Sequence, residues 1–297
     1  MKTAIDYFNA AITADPSYAA AYAGLADSFA LAGDWEYGLM SPQEAWQQAS
    51  KAARKALEID GNLGAAHASL AFSMDLYAWN WSAAEQEYQL AIALSPNYAT
   101  AHHWYAFHLL VLGRYQEGIA ELRKAQSLDP LSLIISADLA DALCIAHLYD
   151  QSIEQSSKTL QMDSNFALAH YEMGQALEQK HLYDQAIESF EQAIEHGGHS
   201  AVFDSNLAHA YAVSGRRDAA LHILKELEDR HDRYPAAYAN VALAYVGLGD
   251  FDSAMARLEQ AYAARVNPSI LLRPGFDPIR TDPRFESLLE RIREFSP

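Results

Sequence analysis

The sequence predicts an all-α solenoid built from tandem pairs of packed helices. Three observations predict this fold class: a pattern of small and apolar residues that returns every 34 residues, breakers between the periodic stretches, and a composition that favours helix. Of the 297 residues, 51% are hydrophobic and 20% are charged, whereas Gly (14) and Pro (10) are sparse. Such a chain is expected to bury a core, which a linear array extends unit by unit.

The repeat is clearest between Ala99 and Pro268, where five units of 34 residues follow one another without a gap. Two earlier units fit with insertions: one extra residue in the unit that starts at Gly64, and eleven in the unit that starts at Ala19. The predicted units are 19–63, 64–98, 99–132, 133–166, 167–200, 201–234 and 235–268.

Two positions of every unit carry a small residue, which two helices need where they cross closely. Position 8 holds Ala26, Ala71, Ala106, Ala140, Gly174, Ala208 and Ala242, and position 20 holds Ala49, Ala84, Gly118, Ser152, Ala186, Ala220 and Ala254. Positions 4, 7, 8 and 11 have helical spacing and predict one buried stripe. Gly33, Gly113, Gly215 and Gly249 are predicted to be left-handed residues at the turn inside a unit.

The two ends depart from the repeat. Residues 1–18 match only the second-helix positions, so they predict a second helix without its partner, as in a segment cut from a longer protein. Its apolar face, with Ile5, Phe8 and Ile12, is expected to be exposed and to favour association between copies of the chain. Residues 269–297 predict a capping region, in which Asp282 N-caps a helix that begins at Pro283.

This residue set resembles the tetratricopeptide repeat, over nearly the whole chain. The resemblance implies a right-handed superhelix whose first helices line a concave groove, and a role as a scaffold that binds a protein segment in that groove. Of the two tryptophans between the helices of unit 64–98, Trp79 and Trp81, one is predicted to fill the slot left by the extra residue.

Three stretches are more specific than a generic repeat. They are Ser41–Trp46 leading into Ala52–Leu57, Trp79–Tyr88 with Asn97–His102, and Phe276–Phe285. Together they resemble the C-terminal repeat regions of large bacterial regulators, in which a winged-helix, kinase or cyclase effector domain precedes the repeats. This resemblance implies an alternative function: a regulatory or sensory arm that controls or dimerises such a domain, whose motifs this sequence does not contain.

Composition and motifs disfavour several function classes. With 21 Lys and Arg against 39 Asp and Glu, the net charge of −18 disfavours nucleic acids and anionic membranes as partners. The single cysteine, Cys144, forms no intrachain disulfide or cysteine zinc site. No phosphate loop, nucleophile elbow, HExxH motif or kinase signature occurs, so we expect no enzyme activity, cofactor or metal. The N-terminus lacks a signal-peptide pattern, and a cytoplasmic location is expected.

The predicted groove is acidic and aromatic. Positions 2, 5, 6, 9, 12 and 13 of the seven units contain no Lys or Arg. The candidate groove residues are Asp27, Phe72, Asp75, His103, Trp104, Phe107, Asp138, Asp141, Tyr171, Glu172, Gln175, Glu178, Asn206 and His209. They predict an apolar or basic partner segment rather than an acidic one, with Trp104 and Phe107 as anchors.

Two alternatives stay open at this point. The aromatic residues of the groove would equally well pack between neighbouring repeats, with the acids only keeping the surface hydrated. Tyr37, Met40 and Trp46, in the longer insertion, are further candidates for a surface contact.

Overall fold

The computed structural model of the protein describes residues 2–33, 39–231 and 237–294, and within them it contains sixteen α-helices and no strand. The helices are α1 (Lys2–Ala14), α2 (Ala19–Ala32), α3 (Pro42–Ile59), α4 (Gly64–Ser73), α5 (Trp81–Leu94), α6 (Ala99–Val111), α7 (Tyr115–Leu128), α8 (Leu133–Ile145), α9 (Tyr149–Met162), α10 (Ala167–Gln179), α11 (Tyr183–Gly197), α12 (Ala201–Val213), α13 (Arg217–His231), α14 (Tyr238–Leu248), α15 (Phe251–Ala263) and α16 (Pro283–Arg293). The predicted all-α solenoid is confirmed. None of these helices is both long and apolar enough to cross a membrane.

Each repeat unit holds two packed helices, from α2 and α3 to α14 and α15. The small residues lie where the two helices touch. Ala26, Ala71, Ala106, Ala140, Ala208 and Ala242 have no exposed surface, and neither do their partners Ala49, Ala84, Ala186, Ala220 and Ala254. At Gly174, an added Cβ would lie 2.7 Å from Cε1 of Phe190, so the ring occupies the space of a side chain.

Three of the four predicted turn glycines are left-handed: Gly113, Gly215 and Gly249 have φ of +77°, +84° and +76°. The prediction for Gly33 is wrong, since its φ is −94°. That unit carries the long insertion, and Gly33 ends α2 in the right-handed conformation. His147 and His181, with φ of 59° and 60°, take this conformation in units that have no glycine there.

The extra residue of unit 64–98 is accommodated by a local change of helix type. Helix α4 continues as a π-helical turn, Met74–Ala78, in which the wider hydrogen-bonding pattern accommodates one more residue than an α-helix. The turn ends at Trp79, whose φ of 51° is left-handed. Asp75 is carried on this π-helical turn.

The first helix packs on the repeat that follows it. Phe8 lies over Gly24 of α2, where an added Cβ would come within 2.3 Å of Phe8 Cζ. Ile5, Phe8 and Ile12 are half-buried against the first core cluster, so they expose less apolar surface than predicted. Tyr7, on the other face of α1, is 73% exposed.

After α15 the chain does not go directly to the cap. Two 3-10 turns, Pro268–Leu272 and Pro274–Ile279, form what we call the linking segment (residues 268–279). It leads to α16, where the Asp282 carboxylate accepts a hydrogen bond from the backbone N–H of Arg284 at 2.9 Å. The predicted cap of α16 is therefore confirmed.

The array curls until its second unit meets its C-terminal end. Trp79 is fully buried, 5.5 Å from the ring of Tyr262 and 4.6 Å from the guanidinium of Arg265. The Trp81 indole N–H donates to the carbonyl of Ile292 at 3.1 Å. The prediction that one tryptophan fills a slot inside its own unit is wrong, because both tryptophans connect that unit to the end of the chain.

Candidate binding groove

The linking segment lies on the concave face of the solenoid, against the first helices of three repeats: α6, α10 and α14. Leu272 belongs to the same apolar cluster as Leu110 and Leu143. Gly275 lies against α14 so closely that an added Cβ would be 2.6 Å from Leu243 Cδ1. The chain's own segment therefore covers the C-terminal half of the predicted groove.

Arg273 is the polar centre of this contact. Its guanidinium lies 5.1 Å from the centroid of the Tyr171 ring, donates to the Tyr171 hydroxyl and donates to Asp141 Oδ2 at 3.4 Å. Burial alone lowers the pKa of Arg273, but the charges of Asp141 and Glu172 outweigh it and raise this pKa. A permanently charged guanidinium is thus held among buried acids.

Two buried carboxyls of the groove are shifted towards the neutral form. Burial, and then the charge of Asp141, holds the pKa of Glu172 well above its usual range. Burial also raises the pKa of Asp75, although the hydrogen bond to His108 Nδ1 (2.9 Å) opposes the shift. Both shifts follow from the burial of these side chains, since Asp75 is 8% and Glu172 3% exposed.

The N-terminal half of the groove keeps an open cavity of about 300 Å³, between the π-helical turn, α6, α8, α10 and the start of the linking segment. Eight candidate residues line it: Phe72, Asp75, His103, Trp104, Phe107, Asp138, Asp141 and Glu172. The rings of Phe72 and Trp104 stack 4.3 Å apart with an interplanar angle of 12°. Trp104 is 6% exposed, so it packs between neighbouring repeats and also contributes to the cavity wall.

The remaining candidates are engaged inside the protein. Tyr171 lies under Arg273, Glu178 pairs with His209 at 2.9 Å, and Gln175 donates to Glu172 at 2.5 Å. The amide of Asn206 donates to the carbonyl of Val202 at 2.8 Å, and Asp27 accepts from Ser69. The contacts of Asp27 and Glu178 join neighbouring first helices, that of Tyr171 joins α10 to the linking segment, and the two amide bonds lie within one helix.

Of the candidate contact residues in the longer insertion, the two that the structure describes do not line the groove cavity. Trp46 is half-buried and packs against the first core cluster, and Met40 is half-buried. Tyr37 lies outside the described residues.

Twelve lining residues were not predicted, among them Trp81, Tyr88, His108 and Arg273. Trp81 was predicted to lie between the helices of its unit, and Tyr88 and His108 are not at the predicted groove positions, so their spacing gave no reason to place them in the groove. Arg273 does carry a signal, because it is a lone cation directly after the apolar run Ile270–Leu272. Such a residue, in a segment that needs burial, requires an acidic partner.

Comparison with known proteins supports the repeat assignment. Tetratricopeptide repeat models match residues 177–243 and 235–265. A search of curated protein sequences found no significant match.

Solved structures with similar folds include PilF of Pseudomonas aeruginosa, at 22% identity and a TM-score of 0.57, covering 80% of this chain and 98% of that one. The Cut9 and Hcn1 hetero-tetramer of the APC/C gives 16% identity and a TM-score of 0.65, covering 98% of this chain and 52% of the other. The human IFIT1 dimer with m7Gppp-AAAA gives 15% identity and a TM-score of 0.64, over 92% and 70% of the two chains. At these identities the likeness concerns the fold alone. The chain is a helical solenoid, and its residues 177–265 match tetratricopeptide repeat models.

Proposed function

We propose that this chain is a non-catalytic protein-interaction module whose concave face binds a partner segment with apolar and basic side chains. Tetratricopeptide repeat proteins generally mediate protein–protein interactions. Our proposals about the binding face and about the chemistry of the partner rest on the groove of this chain.

The observation that carries the proposal is the chain's own linking segment. It is a short irregular segment on the concave face, with Leu272 in an apolar cluster and Arg273 beside Asp141. A groove that accepts this segment has the chemistry to accept another with a hydrophobic residue next to a cation. The side chains of Arg273 and Asp141 are 8% and 6% exposed, so a partner segment would bind beside them, at the open N-terminal half.

That open half has an apolar wall and an acidic rim. Phe107 is half-buried, and Asp138, whose side chain is 21% exposed, lies beside His103 with 2.5 Å between Oδ2 and Nε2. The carboxylate of Asp138 would attract a basic side chain of a partner and repel an acidic segment. The IFIT1 structure contains a capped RNA, but the lining of this groove offers Arg273 as its one guanidinium and no lysine. We therefore propose no nucleic-acid partner.

A second candidate function is the regulatory arm of a larger protein. The observation in its favour is that the linking segment covers part of the groove. A segment that covers a binding face in one state and leaves it in another would give a regulator its two states.

The partner proposal is tested by fluorescence anisotropy with three labelled peptides of one length: an apolar peptide with two arginines, the same peptide with glutamates, and an acidic peptide with a free C-terminus. The arginine peptide should bind, and Asp138→Asn should weaken it about tenfold, or roughly 1.4 kcal/mol. The matched control is Glu188→Gln on the exposed face of α11, which should change nothing. Two results would contradict the proposal. One is that either acidic peptide binds more tightly than the arginine peptide, and the other is that Asp138→Asn and Glu188→Gln bind the arginine peptide with equal affinity.

A further inference from the structure

His102 contacts an oxygen acceptor with each of its two ring nitrogens. Nδ1 lies 2.5 Å from Oε2 of Glu121 on α7. Nε2 lies 3.0 Å from the backbone carbonyl oxygen of Pro96, in the turn that precedes α6. Since His102 is 5% exposed, water cannot readily replace either partner. The ring therefore joins three parts of the array: the turn from the preceding unit, and the first and second helices of its own unit.

The preceding unit repeats this arrangement. His67 occupies the same repeat position as His102, with Nδ1 2.5 Å from Oε2 of Glu87 on α5 and Nε2 3.1 Å from the carbonyl oxygen of Gly61. Two consecutive units thus contain the same contact between a histidine, a glutamate and a turn. We call these two contacts the histidine junctions.

A histidine junction makes all its hydrogen bonds only when it holds one proton more than a neutral imidazole beside a carboxylate. Carbonyl and carboxylate oxygens accept hydrogen bonds and donate none, whereas a neutral ring has a single N–H to donate. With a neutral ring and an ionised glutamate, one ring nitrogen would present its lone pair to an oxygen acceptor. A doubly protonated ring donates to both oxygens, and its hydrogen bond to the carboxylate is charge-assisted.

From this geometry we propose that the histidine junctions are a pH-sensitive device, which attaches units 64–98 and 99–132 to the turns before them below neutral pH and loosens them as pH rises. The inference is independent of the proposed function, because it concerns the joints between units and not a partner. Helix α6 carries Trp104 and Phe107 of the cavity wall after His102, so one junction attaches a helix that forms part of the groove.

The surroundings of His102 act in the same direction. The hydrogen bond with Glu121 raises the pKa of His102, burial opposes this shift, and the Pro96 carbonyl supports it. The charge of Glu121 raises this pKa further, whereas the charge of Lys124, also on α7, lowers it. A histidine whose folded-state pKa is raised contributes stability below its unfolded value of about 6.5, and this stability is lost as pH rises through the folded-state value.

Unit 167–200 provides an internal comparison. His170 takes the same repeat position, and its Nε2 lies 2.9 Å from the carbonyl oxygen of Ser164. In this unit Ser189 holds the position of the junction glutamate, and the ring of His170 stacks on His196 with 5.6 Å between centroids. Because one N–H is enough for a carbonyl contact, we expect that the turn before α10 does not loosen as pH rises.

Hydrogen exchange at pH 6 and pH 9, corrected for the intrinsic exchange rates, tests the proposal on the wild-type protein. The turn at residues 95–98 should open about tenfold more often at pH 9, as expected for the loss of one charge-assisted hydrogen bond. The turn at residues 163–166 should show no such increase. Glu121→Gln should abolish the change at residues 95–98, because a glutamine amide donates to a neutral ring as well as it accepts from one. Glu188→Gln, on the exposed face of α11, removes the same charge outside the junctions and is the matched control.

The proton itself can be followed by NMR titration of histidines labelled with carbon-13 at Cε1, in which His102→Gln identifies the His102 signal. The midpoint of His102 should lie above that of a free histidine, about 6.5, and Glu121→Gln should move it to lower pH. Glu188→Gln should leave it unchanged.

Two results would overturn the proposal. One is that the turn at residues 95–98 opens equally often at both pH values. The other is that Glu121→Gln and Glu188→Gln change its pH dependence alike, which would mean that the dependence arises from the general negative charge of the protein. The buried carboxyls of the groove are the same in both variants, so their own titration cancels in this comparison.

Discussion

Replacing Arg273 by alanine tests how the groove is closed. The guanidinium and the Asp141 carboxylate are 8% and 6% exposed, so neither is compensated by water. Removing one partner of a buried pair leaves the other charge uncompensated and costs about 3–5 kcal/mol. We expect Arg273→Ala to lower the free energy of unfolding by this amount at pH 7, measured by urea denaturation with circular dichroism.

The cost should depend on pH in a defined direction. The folded-state pKa of Glu172 is raised above its unfolded value of about 4.3, so its ionisation destabilises the fold as pH rises above that value. Arg273 limits this penalty, and its loss is therefore more costly at pH 7 than at pH 4, where Glu172 is mostly protonated in both states.

The matched control is Arg216→Ala. Arg216 pairs with Asp184 in a contact whose side chains are 47% and 86% exposed. Exposed pairs contribute at most about 1 kcal/mol. Two results would refute the idea that the buried pair of Arg273 and Asp141 stabilises the closed groove. One is that Arg273→Ala lowers the free energy of unfolding no more than Arg216→Ala does, and the other is that it lowers it equally at pH 4 and pH 7.

Two further predictions concern stability. Burial raises the pKa of Asp27 to about 7, so its ionised form is penalised increasingly between pH 4 and pH 7. Asp27→Asn should therefore stabilise the protein at pH 8 by up to about 4 kcal/mol and have no such effect near pH 4, a difference that thermal melts at the two pH values measure. Gly174→Ala would place a Cβ 2.7 Å from the Phe190 ring and should cost about 1–3 kcal/mol, despite the better helix propensity of alanine. Equal stability of this variant and the wild type in urea would contradict the close helix crossing.

The features of the fold that repeat could be predicted from the sequence. The small residues at positions 8 and 20 are buried in every unit because each helix pair needs the same close crossing. Asp282 and Pro283 specified the start of α16 through a local capping interaction. Periodicity and capping are short-range, so one sequence suffices to find them.

Contacts that occur once could not be predicted in this way. The hydrogen bond from Trp81 to Ile292 joins residues 211 positions apart and depends on the curvature accumulated over the whole array. The π-helical turn arises because unit 64–98 has one residue too many, and the sequence does not show whether a loop or a helix absorbs it.

The candidate site contains both features that the sequence predicted and features that it did not. The spacing placed Phe72, Trp104 and Asp138 on the concave face, and all three line the cavity. The spacing did not show that the linking segment would cover Tyr171, because that segment lies outside the repeats and follows no period. The open part of the groove is therefore smaller than the set of groove positions alone suggested.

The central claim, that the linking segment is packed into the concave face, is tested most directly by hydrogen exchange of the wild-type protein, followed by mass spectrometry. The backbone N–H of Phe276 donates to Arg273 O at 3.1 Å and that of Arg273 to Ile270 O at 3.3 Å, beneath the side chains of α6 and α14. We predict that peptides spanning residues 270–279 exchange as slowly as those of α14, and that Arg273→Ala accelerates them. Exchange as fast as in the turn at residues 129–132, where Leu131 is 81% exposed, would contradict the claim.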